Sequence, residues 1–179
     1  MSTRKKISPP KEGTYAPYYH GYISKIGDKD PIALLESSVL GFKALLSEVP
    51  EEKEDFAYAE GKWTIKQVVG HITDTERIMT YRALCIARGE KQSLPGFEEN
   101  DYAANGNFNE RTLIDISHEF GAVREATLTL FRSLSEKDLD RPGTANNNPV
   151  TPRALIYIVA GHAAHHEQVL RERYLADVL

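Results

Sequence analysis

Four long stretches of the chain repeat apolar residues at three- and four-residue spacing, which is the period of an amphipathic α-helix. The repeats cover residues 30–49, 63–89, 109–134 and 151–174. Helices of this kind bury their apolar stripes by packing against one another. No stretch alternates convincingly between apolar and polar residues as a half-buried strand does. The sequence therefore predicts an all-α fold in which four helices form a bundle.

Helix-start signals support these boundaries. Asp30 and Thr151 each precede a proline, and an N-cap side chain followed by proline is a common way to begin a helix. Thr64 and Gln67 have the spacing of a capping box, in which two side chains satisfy free backbone N–H groups reciprocally. Residues 89–108 form a long connection, which we predict to be a functional or mobile loop. The sequence also predicts a turn or helical fragment at 135–140 and a loop at 142–149.

A chain of 179 residues, 41% of them hydrophobic, fits one compact domain. We predict that the bundle occupies residues 30–179. Residues 1–29 are rich in proline, glycine, tyrosine and charge, and we interpret them as an extended N-terminal arm. The tyrosines of the arm indicate that it packs on the bundle: Tyr15, Tyr18, Tyr19 and Tyr22.

Charge and composition exclude several function classes. The net charge of −4 argues against binding nucleic acid, which requires a basic surface, and we interpret the basic residues 4–6 as a solvated tail. No apolar run approaches the length of a membrane span, and the first residues lack a secretory signal. Cys85 is the only cysteine, which excludes an intrachain disulfide and a cysteine-rich zinc site. We therefore expect a cytoplasmic protein.

Three of the six histidines lie within five positions of the last predicted helix, at His162, His165 and His166. His162 and His166 are four residues apart, so their Cβ atoms are about 5–6 Å apart on one face. Two imidazoles in this arrangement can bind one metal ion at about 2.0–2.1 Å. Both fall on the buried stripe, where a polar group without a partner is costly, and a metal would satisfy both. His165 points to the side of the stripe.

A third ligand should come from another helix, and His71 on the second helix is the candidate. Asp74 lies three residues further on and could orient an imidazole or hold a bound water. Three histidines with open coordination positions are typical of a catalytic site, which can acidify water or polarise a substrate oxygen or thiol. Hydrogen-bonded core histidines remain the alternative, and His20 and His118 are interpreted as structural or surface residues.

Other metal frameworks fit poorly. The chain has neither a His-Glu-x-x-His motif for a zinc protease nor a Cys-x-x-Cys-His motif for covalent haem. A di-iron bundle needs Glu-x-x-His motifs, and the residues three before His71 and His162 are Val68 and Val159.

Several short motifs, taken in order, resemble the DinB/YfiT-like superfamily. They are Gly61-Lys62-Trp63-Thr64, residues 70–76, Leu94-Pro95-Gly96-Phe97 and residues 161–166, and the resemblance covers residues 30–175. It implies a four-helix bundle in up-down-down-up order, often dimeric, so we expect a homodimer. It also implies a divalent metal held by His71, His162 and His166. Nickel or zinc would be typical, with iron or manganese as alternatives.

The resemblance further implies a metal-dependent hydrolase, or a thiol S-transferase or isomerase that uses a low-molecular-weight thiol such as bacillithiol or mycothiol. We expect the metal to activate water or a thiol for a small-molecule substrate, with Asp74 and His165 orienting groups or moving protons. Residues Phe97, Glu98 and Tyr102 of the long loop are predicted to cover the pocket and select the substrate. Two alternatives stay open: a non-catalytic metal-binding stress-response bundle, and a structural dimer whose histidines lie in the core.

Overall fold

The computed structural model describes residues 6–176, in which four long helices, three short helices and one β-hairpin are present. The helices are α1 (His20–Ile26), α2 (Pro31–Ser47), α3 (Ile65–Ala87), α4 (Glu99–Asn105), α5 (Leu113–Ser133), α6 (Glu136–Leu139) and α7 (Pro152–Val169). The hairpin pairs β1 (Gly143–Ala145) with β2 (Asn148–Val150), and a π-helical turn, Leu170–Tyr174, continues α7.

The four long helices form the predicted bundle. Helix α3 packs against α5 and α7, and α2 packs against the same two helices, so the four surround a common core. The all-α class is confirmed, whereas the up-down-down-up order of the helices stays a prediction. Among residues 6–176, no helix combines the length and the apolar character that a membrane span requires.

The predicted helix starts are present with their hydrogen bonds. Asp30 accepts a hydrogen bond from the backbone N–H of Ile32, and Thr151 caps α7 in the same way. Thr64 and Gln67 form the reciprocal capping box at the start of α3. These bonds satisfy backbone N–H groups that would have no partner inside the helix.

Three local predictions differ from the structure. Helix α5 begins at Leu113 instead of near Asn109, because the side chain of Thr112 caps it. The predicted loop 89–108 contains α4, and the predicted loop 142–149 contains the hairpin. Its turn places Asn146 and Asn147 at positive φ, a conformation that asparagine tolerates and that suits tight hairpins. The strands have only three residues each, too few to show alternation. The helical fragment predicted at 135–140 is confirmed as α6.

The N-terminal segment packs on the bundle but is partly helical instead of extended. Residues 17–19 form a 3₁₀ turn that leads into α1, and Ile23 and Ile26 of α1 are buried in the core. Further upstream, the backbone carbonyl of Ile7 accepts a hydrogen bond from the hydroxyl of Tyr157 at 2.9 Å. Residues 1–5, with two of the three basic residues of the predicted tail, lie outside the described residues. The division into an arm and a bundle domain stays a prediction.

A polar layer crosses the bundle between two apolar clusters. One cluster includes Met79 and Leu128, and the other includes Ile72 and Phe120. Between them, α3 and α5 contribute a buried ion pair, in which Arg124 donates to Glu76 at 2.7–3.0 Å. Helix α7 contributes His162, which lies between Ala160 of the first cluster and Ala163 of the second. At this layer, the core-facing side chains of the helices are polar, whereas those above and below it are apolar.

Candidate metal centre

The structure brings three histidines together at this polar layer. His71 lies on α3, while His162 and His166 lie one turn apart on α7. One ring nitrogen of each can be chosen so that all three lie within 4.8 Å of one another. The Nε2 atoms of His71 and His162 are 2.9 Å apart. We refer to these residues as the histidine triad.

Burial keeps the triad neutral. Desolvation lowers the pKa of His71 to about 4. It lowers the pKa of His166 to about 3, with further contributions from neighbouring imidazoles, and it lowers the pKa of His162 well below its usual value. All three rings are therefore uncharged at pH 7. A neutral imidazole offers a nitrogen lone pair, which is the form that binds metal ions.

Aromatic side chains contact the imidazole rings. The indole of Trp63 packs against His71, with ring centroids 4.6 Å apart. On the other side, Tyr22 meets His162 and His165 edge-on at 5.4 and 5.6 Å. Trp63 therefore limits the rotation of the His71 imidazole, whereas Tyr22 borders His162 and His165 where they line the main cavity described below.

The triad fits a divalent ion. Nitrogens that bind one tetrahedral ion at about 2.0–2.1 Å are about 3.3 Å apart. The observed 2.9 Å contact between His71 and His162 and the 4.8 Å limit for the group bracket this value, so small side-chain shifts would complete the site. Three nitrogen ligands suit zinc, nickel and iron, and they leave further coordination positions open.

Two cavities reach the triad from different sides. The main cavity has a volume of about 400 Å³ and is lined by His71 and His162. The second cavity, of about 300 Å³, is lined by His166. Glu99 and His165 line both. Apart from these residues, the principal side chains of the main cavity are Tyr19, Tyr22, Thr75, Met79, Phe97 and Ile158.

Of the two residues predicted to assist the triad, only His165 lies beside it. Its ring centroid is 5.1 Å from that of His166. The side chain of Asp74 instead accepts a hydrogen bond from Arg77 at 3.4 Å and does not line either cavity. Asp74 lies on the side of α5, where Arg77 also donates to Glu119, whereas the next residue, Thr75, lines the main cavity.

The predicted covering loop contributes in part. Phe97 lines the main cavity, and Tyr102 packs against Phe97 with centroids 5.3 Å apart. Glu98 precedes α4, and its neighbour Glu99 is the carboxylate that reaches the cavities. The sequence analysis also missed Tyr22 and Thr75. The four-residue spacing from His71 could have identified Thr75, but no periodic signal marks Tyr22.

Comparisons with known proteins identify relatives of this chain. A protein of Oceanobacillus iheyensis, named "Putative metal-dependent hydrolase OB0413", is 26% identical over 117 residues, which are 65% of this chain and 67% of the relative. The structure of YfiT from Bacillus subtilis, described as "a probable metal-dependent hydrolase with an unusual four-helix bundle topology", superposes with a TM-score of 0.71. It is 17% identical, and the match covers 90% of this chain and 91% of YfiT.

A mycothiol-dependent maleylpyruvate isomerase superposes with a TM-score of 0.65 at 13% identity, covering 84% of this chain and 64% of the isomerase. At such low identities, the two structures establish the shared fold alone. The model of a family described as "DinB superfamily" matches residues 41–170, which include the whole triad. The chain therefore belongs to the DinB superfamily.

Proposed function

We propose that the protein is a metal-dependent enzyme in which His71, His162 and His166 hold one divalent ion. The observation that carries this proposal is the convergence of three neutral imidazoles within 4.8 Å, at a cavity large enough for a small organic molecule. The names of the Oceanobacillus relative and of YfiT support a metal-dependent reaction. Nickel or zinc suits the all-nitrogen ligand set best, with iron or manganese as alternatives.

When bound, such an ion would acidify water or a thiol and polarise a substrate oxygen. The residues of the chain supply the surroundings. Met79, Phe97 and Ile158 give the main cavity apolar walls, which reduce the water around the reacting groups. Desolvation and the charge of Lys25 lower the pKa of His165, so its ring is neutral at pH 7 and can accept a proton beside the triad.

Hydrolysis and thiol-dependent transfer are the two reaction classes that this site can serve. A hydrolase needs one organic substrate and water, whereas a transferase must accommodate two organic molecules. The second cavity, on the His166 side, provides room for another molecule and favours transfer or thiol-dependent isomerisation. The isomerase with the similar fold is named as mycothiol-dependent, which supports a low-molecular-weight thiol as one reactant. A homodimer stays a prediction.

The ligand assignment predicts the metal content of a variant. His166→Ala removes one of three ligands, so elemental analysis of the purified variant should show loss of most of the bound metal, with the helical circular dichroism unchanged. His118→Ala is the matched control, because His118 is an exposed histidine on α5. Full metal occupancy in His166→Ala would contradict the assignment.

A non-catalytic role is the second candidate, and one observation favours it. The 2.9 Å contact between the Nε2 atoms of His71 and His162 is also the geometry of a hydrogen bond between two neutral imidazoles. In that case the histidines are structural residues of the core. Protein purified without metal, whose melting temperature does not respond to added zinc or nickel, would favour this function.

A further inference from the structure

One wall of the main cavity is formed by the N-terminal segment. This segment lies outside residues 41–170, which the family model matches. Tyr18, Tyr19, Gly21, Tyr22 and Lys25 line the cavity and lie in or just before α1. The family match begins at residue 41 and includes the triad. The ligands and this wall therefore belong to different parts of the chain.

The wall is firmly attached to the helix that carries two of the ligands. A Cβ atom added at Gly161 would overlap the backbone carbonyl of Tyr22, so α1 lies directly on α7 one residue before His162. Ile23 and Ile26 are buried in the core and anchor α1 there. The ammonium group of Lys25 donates a hydrogen bond to the side-chain oxygen of Gln168 at 2.7 Å. These contacts fix the position of the wall relative to α7.

The chemistry of the wall is aromatic. Tyr22 is half-buried, and the edge-on contacts with His162 and His165 set its ring at the metal end of the cavity. Tyr19 and Phe97 add two further rings, and Met79 completes an apolar lining. Aromatic side chains favour flat partners, which they contact by stacking or edge-to-face packing. A cavity of about 400 Å³ is within the usual range for small-molecule sites.

We propose that α1 selects the substrate of the metal centre, and that Tyr22 packs against a flat aromatic or conjugated part of a small molecule whose reacting group reaches the triad. This inference rests on the proposed function. It assigns metal binding to residues within the family match and substrate selection to a segment before it.

Cobalt-loaded protein provides the test. The absorption spectrum of the bound cobalt changes when a thiolate binds to it, so a titration gives the affinity for each thiol. The probes are 2-phenylethanethiol and ethanethiol, which differ by a phenyl ring. The wild type should bind the phenyl compound about tenfold more tightly, the expected gain from aromatic packing. Tyr22→Ala, compared with the wild type at equal cobalt content, should lose most of this preference, so that the two thiols bind with similar affinities. Tyr22→Phe should keep the preference, because it keeps the ring.

Ser24→Ala is the matched control, since Ser24 lies on the exposed side of the same helix and does not line the cavity. A preference that survives in Tyr22→Ala, or equal affinities in the wild type, would overturn the inference. Tyr22→Leu provides a second variant of similar bulk: if it and Tyr22→Ala both lose cobalt, Tyr22 supports the histidines and does not select the substrate. A wild type that binds no cobalt would contradict the proposed function itself.

Discussion

Thr75 differs from its neighbour Thr73 in what its hydroxyl contacts. Both side chains are buried on α3. Thr73 Oγ1 donates a hydrogen bond to the backbone carbonyl of Val69 at 2.9 Å, whereas Thr75 Oγ1 has no hydrogen-bond partner among residues 6–176. A buried hydroxyl without a partner lowers stability, because folding removes it from water without replacement.

This difference predicts opposite effects of the same substitution. Thr75→Val should leave the free energy of unfolding unchanged or raise it by up to about 1 kcal/mol, since valine has the same shape and no hydroxyl. Thr73→Val should lower it by about 1 kcal/mol, because a hydrogen bond is lost. Urea denaturation of the two variants without added metal measures both values. A larger loss of stability in Thr75→Val than in Thr73→Val would show that the hydroxyl has a partner in the native protein.

At the scale of single residues, the sequence identifies the three histidines but not the residues that surround them. The four-residue spacing of His162 and His166 follows from helix geometry, the need for a third ligand on another helix points to His71, and the resemblance to a known family implies the same three residues. The position of Asp74 could not be predicted, because its direction depends on Arg77, whose guanidinium pairs with it on the side of α5. Tyr22 belongs to a different element, and only the packing of that element on α7 brings it to the site.

At the scale of elements, the contact between α1 and α7 depends on a glycine. Gly161→Ala should lower the free energy of unfolding by roughly 1–3 kcal/mol, because the added methyl group overlaps the carbonyl of Tyr22 and displaces α1. Gly41→Ala is the control: Gly41 is exposed within α2 and has open space around it, so helix propensity should raise stability by up to about 1 kcal/mol. Equal effects in urea denaturation would mean that α1 does not rest on Gly161.

Arg153 connects the start of α7 to two other elements. Its guanidinium donates hydrogen bonds to Asp140 at 2.7 and 3.0 Å, to Glu136 at 2.8 Å, and to Ser8 of the N-terminal segment at 3.2 and 3.3 Å. Arg153 is buried, and its hydrogen bond holds the pKa of Asp140 below the ordinary value. The pairing therefore stabilises the ionised form of the Asp140 carboxylate.

We expect Arg153→Leu to lower the free energy of unfolding at pH 7 by roughly 1–3 kcal/mol, because charge-assisted hydrogen bonds are lost. A carboxylate with a depressed pKa stabilises the folded state above its unfolded pKa of about 3.9, and this stabilisation is lost as the pH falls through the folded pKa. The difference between wild type and variant should thus shrink below about pH 4. Arg132→Leu, which breaks an exposed pair with Glu36, should cost less than about 1 kcal/mol. A difference that does not change with pH would contradict the role of Asp140.

The elements were predictable to the extent that local rules determine them. Caps at Asp30, Thr64 and Thr151 depend on neighbouring residues only, and the structure contains each of them. Helix α1 and the β-hairpin depend on tertiary contacts: α1 is short and rests on α7, and the hairpin is held beside residue 94 by backbone bonds to Thr144 and Asn146. Such short elements gain stability from packing instead of from their own propensity.

For the whole molecule, the polar layer separates the two apolar clusters of the core. The ion pair of Glu76 and Arg124 satisfies the α3–α5 side of this layer internally, with Ser38 and the carbonyl of Leu35 as further acceptors for Arg124. On the side of α3 and α7, one contact joins His71 and His162, and His166 adds a third convergent nitrogen. A divalent ion would satisfy all three and would connect two helices that are distant in sequence.

Metal removal should therefore lower the stability of the whole bundle. An ion that binds only the folded state raises the free energy of unfolding by about 2.7 kcal/mol when its free concentration is one hundred times its Kd. For a domain of this size that corresponds to roughly 5–10 °C in Tm. Protein loaded with zinc or nickel should lose this increment on addition of a chelator and regain it when the metal is restored. In His166→Ala the chelator should change Tm by less than about 1 °C, because the ligand set is incomplete. A wild-type Tm that does not respond to loading or removal would show that the three imidazoles do not join α3 and α7 through a metal.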